Sequence, residues 1–305
     1  MRVRVASRKS ALALQQTRWV ISSLAAHLPG WTFEVVPIVT QGDRMLDVSL
    51  AELGGKGLFV SEVEQALLDG RADIAVHSLK DVPAEVADGL ALAGMPPRED
   101  PRDVLIARSA ESLADLPPGA RVGTSSLRRM ALLRALRPDL RIEPLRGNID
   151  TRLRKLAEDG FDAIVLAAAG LKRMGWADRI SAYLDPELFT PAVGQGVLAV
   201  ECRADDRVLC EALRRWTDGP TRTAAMAERA LLAELAGGCQ VPVGGYATVG
   251  PDGRIHLRGM VADREGTCVL RAEARGDNPF EVGRAVAAAL QAQGAGGVIA
   301  AAQGG

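Results

Sequence analysis

The sequence predicts an α/β protein made of two similar halves, followed by a smaller α+β domain. Through the first two thirds, apolar strand-like runs alternate with helix-like runs, which is typical of βα units. The order of these runs occurs twice, and the last third instead groups strand-like runs between two helix-like runs. With 305 residues, 48% of them apolar and 25% charged, the chain can form large cores.

The two halves repeat the same order of elements. The first half is predicted to contain a strand at 3–6, a helix at about 11–27, a strand at 33–39, a helix near 58–68 and a strand at 73–76. The second half is predicted to contain a strand at 121–123, a helix ending near 137, a strand at 141–145, a helix at 149–158 and a strand at 162–166. We therefore expect parallel strands whose end loops surround a shared cleft, as in periplasmic-binding-protein-like folds.

Two short segments join the halves, and a third domain follows them. The segment 94–101 is rich in proline and is predicted to be a hinge, and 190–196 carries no charge. A strand at 197–201 is expected to return to the first sheet, followed by a helix at 205–216. The C-terminal elements are predicted as a helix at 221–235, strands near 241–249, 254–262 and 267–275, a helix near 279–291 and a loose tail at 294–305. The predicted domains are 1–96 with 197–216, 100–192, and 219–305.

Composition excludes several classes of protein. No apolar run is long enough to span a bilayer, and the N-terminus lacks the apolar core of a signal peptide, so we expect a cytoplasmic protein. The four cysteines show no metal spacing and the three histidines lie far apart, which predicts no metal site. Cys202, Cys210 and Cys268 lie in apolar periodic stretches and are interpreted as core residues. Aromatic residues make up 4% of the chain, which argues against a surface that stacks nucleic-acid bases.

A basic segment at 121–155 is the strongest local charge feature. It contains ten Arg or Lys and three acidic residues, a local charge of +7, whereas the whole chain has a charge of −1. One interpretation is a solvated basic face on two amphipathic helices. We favour an anion site, because several arginines stand at predicted helix starts, where a cation opposes the helix dipole and where N–H groups bind anions.

Three further segments carry candidate chemistry. Asp81 follows an apolar strand and could stabilise a developing positive charge or relay protons, although an aspartate in a turn is often held by local hydrogen bonds. Cys239 lies in a glycine-rich turn that leaves space around its sulfur, although a free cysteine is more often a buried apolar residue. The glycine-rich segment 42–59 could be a lid, and it lacks the spacing of a phosphate-binding loop.

Seven motifs together resemble the porphobilinogen deaminase family, also called hydroxymethylbilane synthases. They follow one another along nearly the whole chain, and all seven in this order are highly specific. The motifs are Ser7-Arg-Lys-Ser-Ala-Leu-Ala, Gly54-Gly-Lys-Gly-Leu-Phe, His77-Ser-Leu-Lys-Asp-Val-Pro, Gly123-Thr-Ser-Ser-Leu-Arg-Arg, Leu145-Arg-Gly-Asn, Pro191-Ala-Val-Gly-Gln-Gly and Gly238-Cys-Gln-Val-Pro-Val-Gly.

The resemblance implies a transferase that joins four porphobilinogen molecules head to tail and releases ammonia. Its product would be hydroxymethylbilane, a precursor of haem and other tetrapyrroles. The resemblance also implies a dipyrromethane cofactor, made from substrate units and attached through a thioether at Cys239. Asp81 matches the family's catalytic carboxylate.

The resemblance further implies two sets of binding residues, because each pyrrole unit bears an acetate and a propionate that need cationic partners. The residues expected mainly at the cofactor are Ser78, Lys80, Thr124, Ser125, Ser126, Arg128 and Arg129. The residues expected mainly at the substrate and growing chain are Arg8, Ser10, Gln16, Arg146, Arg152, Arg173 and Gln195. Lys56 and Phe59 match a lid role.

Two other classes remain as alternatives. A two-lobed solute-binding protein has the same implied architecture, and it would bind a small anion reversibly. A nucleic-acid-binding regulator would explain the basic segment, but no helix-turn-helix or RNA-binding signature accompanies it. We expect a monomer that takes the small molecule porphobilinogen as its substrate and has no nucleic-acid, membrane or obligate protein partner.

Overall fold

The computed structural model describes residues 1–40, 60–235 and 241–303. The chain forms two compact units, Met1–Glu99 with Val197–Arg222, and Asp100–Gly196 with Thr223–Gly305. Within the described residues, no helix combines the length and the apolar character needed to cross a membrane.

The first unit is built on a mixed sheet of five strands, ordered β2-β1-β3-β10-β4. Its strands are β1 (Arg2–Arg8), β2 (Thr32–Ile38), β3 (Ile74–Ser78), β4 (Leu90–Gly94) and β10 (Leu198–Arg203). Its helices are α1 (Ala11–His27), α2 (Ser61–Leu68) and α6 (Arg207–Trp216), with a 3₁₀ turn at Leu79–Asp81. Strand β1 pairs in parallel with β2 and β3, whereas β10 is antiparallel to β3 and β4.

Both faces of this sheet are covered by helices. Val5 and Val76 pack with Val20 of α1 and Leu213 of α6 on one face. On the other face, small residues such as Ala75 pack with α2. Covering both faces explains why the strands read as nearly continuous apolar runs.

The second unit contains another mixed sheet of five strands, ordered β7-β6-β8-β5-β9, in which β7, β6 and β8 take the places that β2, β1 and β3 have in the first sheet. Its strands are β5 (Asp103–Ala107), β6 (Arg121–Gly123), β7 (Arg141–Glu143), β8 (Ala163–Ala167) and β9 (Ala182–Tyr183). Its helices are α3 (Leu127–Leu136), α4 (Ile149–Glu158) and α5 (Ala168–Arg173), with a 3₁₀ turn at Ala177–Arg179. Strands β6, β7 and β8 are parallel, and β5 is antiparallel to β8 and β9.

A three-stranded antiparallel sheet forms the C-terminal part of the second unit. Its strands are β11 (Val243–Val249), β12 (Ile255–Ala262) and β13 (Val269–Gly276). The helices beside it are α7 (Gly219–Glu234), α8 (Pro279–Ala292) and α9 (Ala295–Gln303). Leu231 of α7, Leu257 of β12 and Leu290 of α8 lie in one buried cluster that forms this core.

The structure confirms the α/β class, the repeated order of elements and the return of strand 198–203 to the first sheet. The strands predicted in the two repeats pair in parallel, as expected, and each sheet also contains one antiparallel strand, β10 or β5, for which no direction was predicted. The expectation of a loose tail was wrong: residues 295–303 form α9, and Ala295 is buried beside Val298 and Ile299 on the C-terminal core. Burying these apolar side chains offsets the low helix propensity of the glycines nearby. The division into three domains stays a prediction.

Candidate active site

The edge of the first sheet at which β1 and β3 end carries the predicted residues of the first unit. Val5 of β1 lies opposite Ile74 of β3 in parallel register, so the carboxyl ends of both strands meet at one edge. Arg8 is the last residue of β1, and Ser78 is the last residue of β3. Loops at such an edge are where open α/β sheets bind ligands.

The turn after β3 holds Lys80 and Asp81 at the surface between two buried residues, Leu79 and Val82. The side chain of Leu79 is buried, and its N–H donates to the carbonyl of Val197 at 3.0 Å. The N–H of Val82 donates to the carbonyl of Leu79 at 3.1 Å, and Val82 is also buried. Lys80 and Asp81 between them are exposed. The sheet therefore presents the Asp81 carboxylate on a fixed short turn rather than on a long loop.

Gln16 and Ser10 have defined partners next to this turn. Nε2 of Gln16 donates to Oγ of Ser78 at 3.1 Å, and Gln16 is buried. Ser10 is the N-cap of α1, where its Oγ accepts the N–H of Ala13 at 3.3 Å. Gln16 is thus joined to the end of β3, and Ser10 supports the start of α1.

The second sheet brings its predicted residues to one edge in the same manner. Residues 124–126 follow β6, Arg146 follows β7, and Arg173 lies at the end of α5, which follows β8. Because β5 runs antiparallel to β8, its first residue, Asp103, lies at this edge as well. The edge therefore combines hydroxyls, arginines and one carboxylate.

The three hydroxyl residues 124–126 shape the start of α3. Ser126 is the N-cap, and its Oγ accepts the N–H of Arg129 at 3.5 Å. Oγ1 of Thr124 accepts the N–H of Ser126 at 3.3 Å, and Oγ of Ser125 donates to the carbonyl of Leu145 at 3.0 Å. This confirms the predicted order of strand, hydroxyl turn and helix start.

Arg128 and Arg129 form a buried ion cluster with Asp103. Nη1 of Arg128 lies 2.7 Å from Oδ2 of Asp103, and Nη2 of Arg129 lies 2.7 Å from Oδ1. Both arginines are 5% exposed and Asp103 is 0% exposed. The interpretation of the basic segment as a solvated face is therefore wrong for these two residues, because a carboxylate from another strand draws them into the interior.

The charges of this cluster stabilise one another. Burial alone would raise the pKa of Asp103, but the charges of Arg128 and Arg129 and their hydrogen bonds outweigh it and lower this pKa to about 2. Burial lowers the pKa of Arg129, and the charge of Asp103 opposes that change. An arginine remains protonated throughout the physiological range. The cluster therefore contains two cations and one anion.

Arg152, Arg173 and Gln195 each have a contact within the second unit. Nε of Arg152 donates to the carbonyl of Gly147 at 2.8 Å, and Nη2 of Arg173 donates to the carbonyl of Gly196 at 2.7 Å. Nε2 of Gln195 donates to Oδ1 of Asp103 at 3.2 Å. Gln195 thus joins the ion cluster.

A buried pair of His77 and Glu201 lies beneath the turn of the first unit. Nε2 of His77 is 3.0 Å from Oε2 of Glu201, and both side chains are buried. The pKa of the nearby Glu64 on α2 is raised, first by burial and then by the charge of Glu201, against an opposing influence of His77. The pair ties the end of β3 to β10.

Three predicted residues, Lys56, Phe59 and Cys239, lie outside the described residues. The other cysteines divide into two groups. Cys202 and Cys210 are buried, as predicted for core residues. The same prediction was wrong for Cys268, which is only half-buried just before the β13 edge strand. In the described part of the chain, no cluster of His, Cys, Asp or Glu could hold a metal ion.

A cavity of about 430 Å³ in the second unit lies away from these residues. Its lining includes Ala107, Arg108, Leu156 and Arg179. Ala107 ends β5, whereas Asp103 begins it, so the cavity lies at the opposite edge of the sheet. None of the predicted site residues lines it.

Asp103 is the residue of this site that sequence reasoning missed. Strands β4 and β5 were not predicted, and only the segment 94–101 between them was interpreted, as a proline-rich hinge. The available signal was a carboxylate directly before the apolar run Val104-Leu-Ile-Ala107, since an acid at the start of a buried strand needs a charged partner.

Two family models match the chain one after the other. The family described as "Porphobilinogen deaminase, dipyromethane cofactor binding domain" matches residues 3–211, and "Porphobilinogen deaminase, C-terminal domain" matches residues 222–292. Among solved structures, the periplasmic VFT2 domain of BvgS from Bordetella pertussis is 16% identical over 70% of this chain and 86% of that chain, with a TM-score of 0.42. Likeness at this level indicates nothing about activity.

Several curated relatives match the chain over nearly its whole length, and each is named porphobilinogen deaminase. The relative from Brevibacillus brevis is 55% identical and covers 97% of this chain and 96% of its own. The relative from Geobacillus kaustophilus is 54% identical, with coverage of 97% and 96%. The relative from Bacillus subtilis is 49% identical, with coverage of 96% and 94%. Two matching family domains and relatives at this identity establish that the chain belongs to the porphobilinogen deaminase family.

Proposed function

We propose that this chain is the transferase that joins four porphobilinogen molecules head to tail, releases ammonia and forms hydroxymethylbilane for tetrapyrrole biosynthesis. The observation that carries the proposal is membership of the porphobilinogen deaminase family along nearly the whole chain. The chemistry of the two sheet edges supports it, because one edge offers a carboxylate beside a lysine and the other offers arginines and hydroxyls. These are the groups that a substrate with two carboxylates and a basic amine requires.

The residues of the second edge fit a dipyrromethane cofactor, which carries several carboxylates. Arg128 supplies cationic donors, Arg129 adds its positive charge beside them, and the hydroxyls of Thr124 and Ser126 accept backbone N–H groups and keep their own hydrogens for a further acceptor. When bound, the cofactor supplies the primer to which substrate units are added. We propose Cys239 as its thioether anchor, with Ser78, Lys80 and Ser125 as further donors.

We propose Asp81 as the catalytic residue. Loss of ammonia from porphobilinogen leaves an electron-poor methylene-pyrrole cation, and each pyrrole that forms a bond becomes positive before it loses a proton. An exposed carboxylate on a fixed turn can stabilise both cations and accept that proton. The buried Leu79 and Val82 on either side limit the movement of Asp81.

The remaining residues are proposed to bind substrate carboxylates and to position the turn. This set consists of Arg8, Ser10, Gln16, Arg146, Arg152, Arg173 and Gln195, with Lys56 and Phe59 as lid residues. The hydrogen bond from Gln16 to Ser78 supports a positioning role at the end of β3. Arginine suits this task because its planar fork donates two hydrogen bonds to one carboxylate.

We also propose that the protein acts as a cytoplasmic monomer without an obligate protein partner. Its proposed domains are 1–96 with 197–216, 100–192, and 219–305. The separate buried cluster beneath β11, β12 and β13 supports the third of these domains. Sedimentation at several protein concentrations tests the monomer.

The experiment for the catalytic proposal compares Asp81→Asn with Asp88→Asn. Ammonia release from porphobilinogen is followed for each variant. We expect Asp81→Asn to lower kcat by about 100-fold or more while circular dichroism stays unchanged, because a positioned acid or base contributes about 10²–10⁴-fold. Asp88 is an exposed aspartate seven residues further along the chain, and its substitution should leave kcat unchanged. A kcat of the Asp81→Asn variant close to that of the unsubstituted enzyme contradicts the assignment.

A further inference from the structure

We propose that Asp103 is a positioning residue of the carboxylate-binding site: it fixes Arg128 and Arg129 so that Arg128 presents the Nε–Nη2 edge of its guanidinium to a pyrrole carboxylate. The inference rests on the proposed function and adds a residue that none of the motifs contains. The ligand group is a carboxylate of either the cofactor or the substrate.

Each of the three guanidinium nitrogens of Arg129 has an acceptor within the protein. Its Nε donates to Oδ1 of Asp103 at 2.8 Å, and its Nη2 lies 2.7 Å from the same oxygen. Its Nη1 donates to the carbonyl of Val165 on β8 at 3.0 Å. Arg129 therefore fixes Asp103 against the second sheet.

In Arg128, by contrast, only Nη1 donates hydrogen bonds to the described residues. Its Nη1 donates both to Oδ2 of Asp103 at 2.7 Å and to the carbonyl of Thr190 at 2.6 Å. Within the described residues, these are the hydrogen bonds that Arg128 makes. They fix the direction of the Nε–Nη2 edge, which donates to no acceptor among the described residues. This edge can donate two parallel hydrogen bonds, the geometry that a carboxylate accepts.

The charge of the cluster favours one further anion. Asp103 balances one of the two guanidiniums, so a single positive charge remains in a place that is largely removed from water. A ligand carboxylate would complete two pairs of opposite charge. Without Asp103, two adjacent buried cations would repel each other, and the orientation of Arg128 would no longer be fixed.

If Asp103 served only to stabilise the fold, the Nε–Nη2 edge of Arg128 would not be expected to lack an acceptor in the part of the protein that the structure describes. A carboxylate that serves only to satisfy buried arginines would be expected to occupy the donors of both. Here both oxygens of Asp103 are used, yet one edge of Arg128 is left for another acceptor. The arrangement instead matches a residue that orients a binding group, as partners of ligand-binding side chains do.

The test compares Asp103→Asn and Asp103→Glu with the matched control Asp100→Asn. Asp100 is a carboxylate of the same unit that pairs with Arg102 at 2.7 Å and Lys172 at 3.3 Å, and its pKa is likewise lowered to about 2. Intact-protein mass spectrometry gives the fraction of each purified full-length variant that carries added mass. Ammonia release from porphobilinogen gives KM and kcat per loaded enzyme, and thermal unfolding reports the fold.

We expect Asp103→Asn to lower the loaded fraction or to raise KM by about 10- to 100-fold, with kcat per loaded enzyme unchanged. A lower loaded fraction assigns the carboxylate to the cofactor, and a higher KM assigns it to the substrate. Asp103→Glu keeps the charge and should fold, and we expect a smaller change in the same direction because the longer side chain displaces both guanidiniums. Asp100→Asn should leave the loaded fraction and KM unchanged.

The inference is overturned if the Asp103 variants fold and keep both the loaded fraction and the KM of the unsubstituted protein. It is also overturned if only kcat falls while the loaded fraction and KM stay unchanged. If Asp103→Asn does not fold, Asp103→Glu decides by the same criteria. An unsubstituted protein that carries no added mass and releases no ammonia overturns the proposed function, and the inference with it. These results are distinguishable, because the first two require an unsubstituted protein that is loaded and active.

Discussion

Glu228 on α7 holds the glycine-rich segment 190–196, and its replacement tests how the structure fixes this part of the site. Its side chain is fully buried. Oε2 accepts the N–H of Gly194 at 2.7 Å, and Oε1 accepts the N–H of Ala247 on β11 at 2.8 Å. Gly194 has a φ of 73°, a conformation that favours glycine, and it lies in a turn rather than in a helix or a strand.

The expected loss of folding stability follows from these two hydrogen bonds. A hydrogen bond to a charged acceptor contributes about 1.5–3 kcal/mol, and a buried N–H left without an acceptor costs a similar amount. Glu228→Ala removes both acceptors, so we expect the free energy of unfolding to fall by about 3–6 kcal/mol. Glu228→Gln keeps one acceptor oxygen and turns an amide N–H₂ towards the other donor, so about half of this loss is expected. A domain has a total stability of about 5–15 kcal/mol, so both changes are large.

The assay combines urea unfolding with hydrogen exchange. Peptides that contain Gly194 and Ala247 should exchange about 100-fold faster or more in Glu228→Ala, because about 1.4 kcal/mol corresponds to a factor of ten. Glu234→Ala is the matched control, since Glu234 is exposed on the same helix and its replacement should change stability by less than about 0.5 kcal/mol. A loss below about 1 kcal/mol in Glu228→Ala, or unchanged exchange at Gly194, refutes the reasoning.

Three further predictions concern stability. The pKa of Asp103 lies near 2 in the folded protein and near 3.9 in an unfolded chain, so its ionised form stabilises the fold by about 2 kcal/mol above about pH 4. Because this contribution disappears as the pH falls from about 4 to 2, urea unfolding at several pH values should show a steeper decline for the unsubstituted protein than for Asp103→Asn. Gly283→Ala should destabilise the protein by about 1–3 kcal/mol, measured by urea unfolding, because its Cβ would lie 2.5 Å from the Cβ of Ala230; unchanged stability contradicts that packing. Gly297→Ala on α9 meets no atom within 4 Å and should raise the melting temperature, since alanine in a helix is favoured over glycine by about 1 kcal/mol; a lower value argues against α9.

Local patterns in the sequence were sufficient to predict most of the helices and strands of the fold. The helix at 149–158 was predicted with the bounds that it has, and most other predicted helices and strands differ by one or two residues. The repeated order of elements predicted two sheets of like topology, and the three parallel strands of each repeat are arranged alike, β2-β1-β3 and β7-β6-β8. Apolar periodicity and polar turns are local properties, so they can be recognised before the chain is folded.

The sequence indicated less about which strands pair and in which direction. The alternation of strands and helices predicted the parallel pairing of β1 to β3 and of β6 to β8, but it gave no direction for β10 and did not indicate β5, and both are antiparallel to their neighbours. The direction of a strand depends on where the chain returns from, which is a property of the whole sheet. The tail at 295–303 shows a similar limit, because its helix depends on burial of Ala295 against the C-terminal core.

The sequence by itself indicated the family and the set of arginines near the helix starts, and it predicted Asp81 as the catalytic residue and Cys239 as the anchor, because motifs and local charge are carried by neighbouring residues. Only the tertiary structure decided that Arg128 and Arg129 are buried rather than solvated. Their partner, Asp103, lies 25 and 26 residues earlier in the chain. An antiparallel strand brings that carboxylate beneath the first turn of α3, and its charge compensates the cost of burying two cations, which no local pattern of the sequence could indicate.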